Sequence, residues 1–153
     1  MPIEIKITKK DLGAERRVAE MLLRVKNLRP ALKIIGEIGL TSIQRNFEEG
    51  GRPKKWKPLA LSTIKQRRRQ GKWPGQILVR LGIGGGLLGS ITYRTYPSKV
   101  VWSARKIYAA IQHFGGKAGR GHKVTIPARA YMLFQREDRT EFEETLRDYV
   151  MGR

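Results

Sequence analysis

The sequence predicts an α+β fold: a small, mainly antiparallel β-sheet drawn from the central segment, with helices from both termini packed around it. Three observations carry this. Apolar residues recur at helical spacing near both ends of the chain. Between them lie short runs rich in Val, Ile, Thr and Tyr, separated by Gly and Pro. The length of 153 residues, with 40% hydrophobic and 29% charged residues, suits one soluble domain, residues 1–153, that buries its own core.

Ile3-Glu-Ile-Lys-Ile7 alternates as a short strand does. Asp11 is a fair N-cap for a helix over Leu12–Lys26, with Val18, Met21, Leu22 and Val25 on one side. Pro30 suits the first turn of a second helix, which reaches Phe47 and carries Leu32, Ile35, Ile38, Ile43 and Phe47. Gly36 and Gly39 each cost that helix up to ~1 kcal/mol relative to Ala, so close packing against another element is expected to compensate. Residues 51–58 read as an exposed basic loop around Trp56. A basic helix follows over Ser62–Gln70, with Ser62 as N-cap, and then a strand over Gln76–Leu81.

Gly82–Gly89 reads as a mobile turn, because its glycines leave the free chain high backbone entropy. Ser90–Tyr96 and Lys99–Ser103 form a hairpin across Pro97-Ser98, with Trp102 in the core. Tyr108–Phe114 is a short helix stopped by Gly115-Gly116, and Val124 opens a strand closed by Pro127. Ile111, Phe114, Val124 and Ile126 are expected in the core. Glu137–Met151 is a last helix, with a capping box from Asp138 and Glu141 and an apolar face of Phe142, Leu146 and Tyr149.

The chain carries 32 Lys and Arg against 13 Asp and Glu, a formal charge of +19. From Gly50 to Arg136 there is no acidic residue, so the whole net charge belongs to the middle of the chain. Such a field seeks a polyanion or an acidic protein surface. There is no Cys, which leaves out disulfides and thiolate chemistry. The N-terminus lacks an apolar signal core, and no run approaches the roughly 18 apolar residues of a bilayer span, so no membrane role is expected.

Gly84-Gly-Gly-Leu-Leu-Gly89 satisfies a bare G-x-G-x-x-G pattern, but a strand follows it where dinucleotide binding needs a helix. His113 and His122 have no carboxylate or Cys at metal-ligand spacing. The acid-free centre supplies no paired carboxylates for general acid–base work. Neither a cofactor nor an enzyme activity is expected.

The order of the central pieces is more specific than any one of them. Trp56-Lys-Pro-Leu59 precedes a basic helix, Ile77-Leu-Val, Leu88-Gly-Ser-Ile-Thr-Tyr93, Lys99-Val-Val-Trp102, Tyr108-Ala-Ala-Ile-Gln-His-Phe-Gly-Gly116 and Ile126-Pro-Ala-Arg129. This ordered set resembles the phage virion morphogenesis family, the tail-completion proteins of Mu-like and P2-like tailed phages. The resemblance covers roughly Phe47 to Glu137. It implies a structural protein of tail completion or head–tail joining, present in the virion tail or neck and in the host cytoplasm during assembly. Its implied partners are further copies of itself in a homo-oligomeric ring, the tail terminator or tail tube, the head–tail connector, and packaged DNA. Trp56, Lys57, Pro58, Tyr108, Phe114 and Arg129 are the candidate subunit or partner contacts. Lys65, Arg67, Arg68, Arg69, Lys117, Arg120 and Lys123 are candidates to meet DNA or an acidic partner. The alternative reading is a non-specific nucleic-acid-binding protein acting through the same basic segment, with Trp56 and Trp73 stacking on bases.

Overall fold

Helix α2, Arg29–Glu48, is the element against which the central hairpin and the C-terminal helix pack. Its buried stripe, Leu32, Ile35, Gly39, Ser42, Ile43, Asn46 and Phe47, follows the helical repeat. The computed structural model describes residues 12–79 and 85–153. Among these it shows five α-helices and two antiparallel sheets of two strands each, the expected α+β class. The alternating Ile3–Ile7 run, Asp11 and Gly82–Gly84 lie outside the described residues.

One sheet is the hairpin β1–β2, Ile91–Thr95 paired with Val100–Ala104, in a register that sets Tyr93 opposite Trp102. Both rings lie against α2, where the two glycines make room for them. A Cβ at Gly36 would fall inside the Tyr93 ring's van der Waals envelope, and one at Gly39 inside that of Trp102. The Trp102 indole donates to the Gly36 carbonyl at 3.1 Å, and the Tyr93 hydroxyl meets the Glu37 carboxylate at 2.7 Å. That hydrogen bond raises the Tyr93 pKa above its ordinary value. Close approach of helix and hairpin thus offsets the propensity cost of both glycines.

Helix α5, Arg136–Met151, also packs on α2, and α1, Leu12–Lys26, packs on α5. Trp102 stands 4.8 Å from Phe134 and 5.9 Å from Phe142, so the hairpin and α5 share an aromatic cluster. The N-terminus of α5 is held by Gln135 and Asp138, not by Asp138 and Glu141. The helix begins at Arg136, which makes Asp138 its third residue and puts its carboxylate 2.7 Å from the Gln135 N–H. Val18, Leu22, Leu23 and Val25 of α1 remain exposed.

Several expectations are corrected. Residues 76–79 form turns rather than a strand, with Leu78 at φ 64°. The Gln76 carbonyl accepts a hydrogen bond from Arg67, which folds this run back onto α3, Leu61–Arg69. Ser62 lies inside the first turn of α3, and the N-cap is Ala60 in extended conformation. Phe114 is 76% exposed and Val124 is 56% exposed, so neither is core. Helix α4, Ala109–Phe114, has six residues and buries only Ala109 fully. Gly116–Ala118, strand β3, pairs with Val124–Ile126, strand β4, in a two-stranded sheet that lifts Val124 away from the core.

Trp56 is the largest correction. It is buried in the main core with Ile43, Phe47, Leu87, Ile91, Ala109 and Tyr131. Its ring meets Phe47 edge-on at 5.6 Å, and Phe47 lies 5.4 Å from Tyr131. Trp56 is therefore no contact surface.

Candidate functional site

Beside the buried Trp56 the chain leaves a groove of about 1060 Å3. One wall is Lys57–Ala60 with Thr63 and Arg67 of α3; another is Tyr108 and Gln112 with Val124–Pro127; Leu78 and Leu87 also line it. Arg129 ties the two sides together. Its Nε and Nη2 donate to the Lys57 carbonyl at 3.2 and 3.1 Å, and Nη2 also reaches the Pro58 carbonyl at 3.2 Å. The Arg129 backbone N–H donates to the Gln112 carbonyl at 3.0 Å, and the Trp56 indole N–H to that of Ala130 at 3.3 Å. Burial lowers the pKa of the Arg129 guanidinium below its ordinary value.

The structure thus gathers most of the predicted contact residues. Lys57, Pro58, Tyr108 and Arg129 line one groove, and Trp56 does not, being buried in the core. Phe114 stands outside it, exposed, with its ring against His113 at 4.6 Å. His113 faces Tyr131 across 5.0 Å, and burial lowers the histidine's pKa while raising that of the tyrosine.

The basic residues divide. Lys65, Arg68 and Arg69 are exposed on α3, and Lys117, Arg120 and Lys123 are exposed around the β3–β4 turn. Arg67 is buried and donates to the Gln76 carbonyl at 2.8 Å. Three consecutive residues cannot share one face of a helix that turns 100° per residue, which is the signal the sequence reading passed over. Leu59, Thr63, Lys72 and Leu87 of the groove were also missed; only the fold brings these separate segments together.

Arg52, read as part of an exposed loop, anchors a buried polar cluster instead. Its Nε donates to Asn46 Oδ1 at 2.8 Å and its Nη2 to Ser42 Oγ at 2.8 Å. Nη2 also lies 3.6 Å from the Asp138 carboxylate. Asn46 in turn donates to the Tyr131 and Leu133 carbonyls. This cluster fixes the 131–135 segment to α2.

Among the described residues no helix is long and apolar enough to cross a membrane, and no group of His, Cys, Asp or Glu is arranged to hold a metal ion. The region combines an apolar groove, exposed cations around it, and exposed aromatic and aliphatic side chains at Ile107, Tyr108, Phe114 and Val124. Such a combination marks interaction sites.

The model of the phage virion morphogenesis family matches residues 10–151. The chain belongs to the phage virion morphogenesis family. The Mu-like prophage FluMu G protein 2 of Haemophilus influenzae (strain ATCC 51907 / DSM 11121 / KW20 / Rd) is 35% identical over 120 residues, 78% of this chain and 76% of that protein. No solved structure matches the chain. For a phage virion morphogenesis protein, a groove and charged patches that present complementary surfaces are the features through which it would act.

Proposed function

We propose that the chain is a structural, non-catalytic protein that completes the phage tail and joins it to the head, working as a homo-oligomeric ring in the virion neck. The observation that carries this is the separation of charge on its surface. Helix α5 has six acidic residues against three arginines. Glu141, Glu143, Glu144 and Asp148 are exposed and form no ion pair among the described residues. The segment from Gly50 to Arg136 has no acid at all and exposes Lys65, Arg68 and Arg69 on α3.

A contact between unlike patches on two copies is head-to-tail, and such contacts close into rings when the rotation permits. The apolar side chains exposed on α1 add surface to be covered in an assembly. The basic faces outside the subunit contacts are then available to a connector, the tail end or packaged DNA, the last through phosphates alone. A lone DNA binder draws less support, since Arg67 is turned inward and Trp56 is buried, which removes a base-stacking platform.

Supplying Arg68→Gln/Arg69→Gln in place of the natural chain in an infected cell tests the role. These side chains are exposed, so the fold is kept. A loss of about 1 kcal/mol per subunit contact is roughly fivefold and compounds around a ring. Unjoined heads and tails are expected to accumulate. Normal yields of joined particles would contradict the role assigned to this face.

A further inference from the structure

The groove has three features that together specify an occupant, and none depends on the ring. First, β4 has β3 on one side and no strand on the other among the described residues. Val124, Thr125, Ile126 and Pro127 all line the groove. Side chains alternate between the two faces of a strand, so four consecutive lining residues mean that the strand's edge, rather than one face, borders the groove. Among the described residues, 124–126 make no backbone hydrogen bond outside the β3–β4 ladder. An open edge of this kind is a template for another strand.

Second, the walls are largely apolar: Pro58, Leu59, Leu78, Leu87 and Ile126. The volume, about 1060 Å3, stands at the upper end of the ~300–1,000 Å3 typical of ligand sites, room enough for several residues of a chain. Third, the groove's charge is all of one sign. Arg129, 5% exposed, lines it, and among the described residues its hydrogen bonds run from Nε and Nη2, not Nη1. Lys57 and Lys72 stand at its edge, and the chain offers no acid between residues 50 and 136 to neutralise them. A guanidinium held by carbonyls on one side in a largely apolar setting favours a carboxylate partner on its remaining side.

We infer that this groove receives an extended segment of a partner protein, carrying alternate apolar side chains and at least one carboxylate, which adds to the free edge of β4 as a third strand. Backbone hydrogen bonds to β4 supply affinity, the apolar walls take alternate side chains, and Arg129 with Lys57 and Lys72 selects the acidic residue. Nucleic acid fits the charge but would leave the apolar walls unmatched. The chain's own alternating stretch, Ile3–Ile7, carries Glu4, but Lys6, Lys9 and Lys10 outnumber the acids around it and leave it net positive, so a more acidic segment of a partner suits the groove better.

Selection of displayed random peptides on the purified full chain, followed by fluorescence anisotropy with synthetic copies, tests this. Enriched peptides are expected to combine alternate apolar residues with an Asp or Glu. Val124→Glu changes an exposed residue at the groove's wall and is expected to weaken binding about tenfold or more while leaving the circular dichroism spectrum unchanged. Methylating alternate backbone nitrogens of the peptide should abolish binding on one register and spare it on the other. Lys57→Glu should shift preference toward peptides with Lys in place of the acid. Enrichment without acidic residues, affinity indifferent to Val124→Glu, or tolerance of N-methylation at every position would overturn the inference. Competitive displacement by a DNA duplex at lower concentration than the peptide would reassign the groove to nucleic acid. Because the purified chain suffices in whatever oligomeric state, a negative result here leaves the neck role standing, and failure of that role leaves the groove to be judged by its peptides.

Discussion

Trp56→Ala is expected to cost about 3–5 kcal/mol, the range for emptying a large aromatic from a core. Typical domains have about 5–15 kcal/mol in total, so the variant would approach or cross the threshold of folding. The indole fills the space between Phe47 and the core, and its N–H satisfies the Ala130 carbonyl. Both are lost together, and the 57–60 wall of the groove loses its support. Urea unfolding followed by tryptophan fluorescence and circular dichroism should show a large fall in midpoint. A midpoint near that of the natural chain would place the ring outside the core. Any assembly defect in Trp56→Ala therefore reports a damaged monomer, not a lost contact.

Asp138→Ala is expected to destabilise by about 3–5 kcal/mol, because it removes one partner from a buried charged network. Asp138 has 3% of its side chain exposed, accepts hydrogen bonds from Ser42 Oγ and the Gln135 N–H, and pairs with Arg52. Without it the Arg52 guanidinium keeps, among the described residues, Glu137 and Glu49, at 3.8 and 4.0 Å, as charged partners. Glu137→Ala is the control. Its side chain is 67% exposed, and pairs of that kind contribute about 0–1 kcal/mol. Equal effects of the two substitutions on the unfolding midpoint would mean that the cluster does not fix α5 to α2.

The features legible in the sequence were those set by local chemistry. Residues Leu12–Lys26 carry apolar positions at helical spacing, and the helix has those bounds. Helices α2 and α5 fall within a residue of their expected starts and ends. The hairpin was marked by β-branched and aromatic runs on either side of Pro97-Ser98. Even the glycines of α2 pointed to close packing, which Tyr93 and Trp102 provide.

The features not legible were set by distant partners. Gly116-Lys117-Ala118 has little strand propensity and becomes β3 only through pairing with β4. Ile77-Leu-Val79 looks like a strand, but among the described residues nothing pairs with it. Lysines around Trp56 suggest exposure, whereas Lys55 and Lys57 extend to solvent and the indole between them turns into the core. Arg67 and Arg52 read as surface charge because nothing local reveals that the Gln76 carbonyl, or Ser42, Asn46 and Asp138, will meet them. The groove is the extreme case, since its walls come from five separate stretches of chain.

The most direct measurement for the neck role is the mass of the purified chain in paired charge-reversal variants. One variant carries Glu141→Lys, Glu144→Lys and Asp148→Lys on α5; the other carries Lys65→Glu, Arg68→Glu and Arg69→Glu on α3. Light scattering at low salt is predicted to show a closed oligomer for the natural chain and monomers for each variant alone. An equimolar mixture of the two variants should regain the oligomer, because each reversed patch then meets its complement on the other variant. Oligomers that persist in both single variants, or a mixture that stays monomeric while the natural chain assembles, would contradict a head-to-tail contact between α5 and α3.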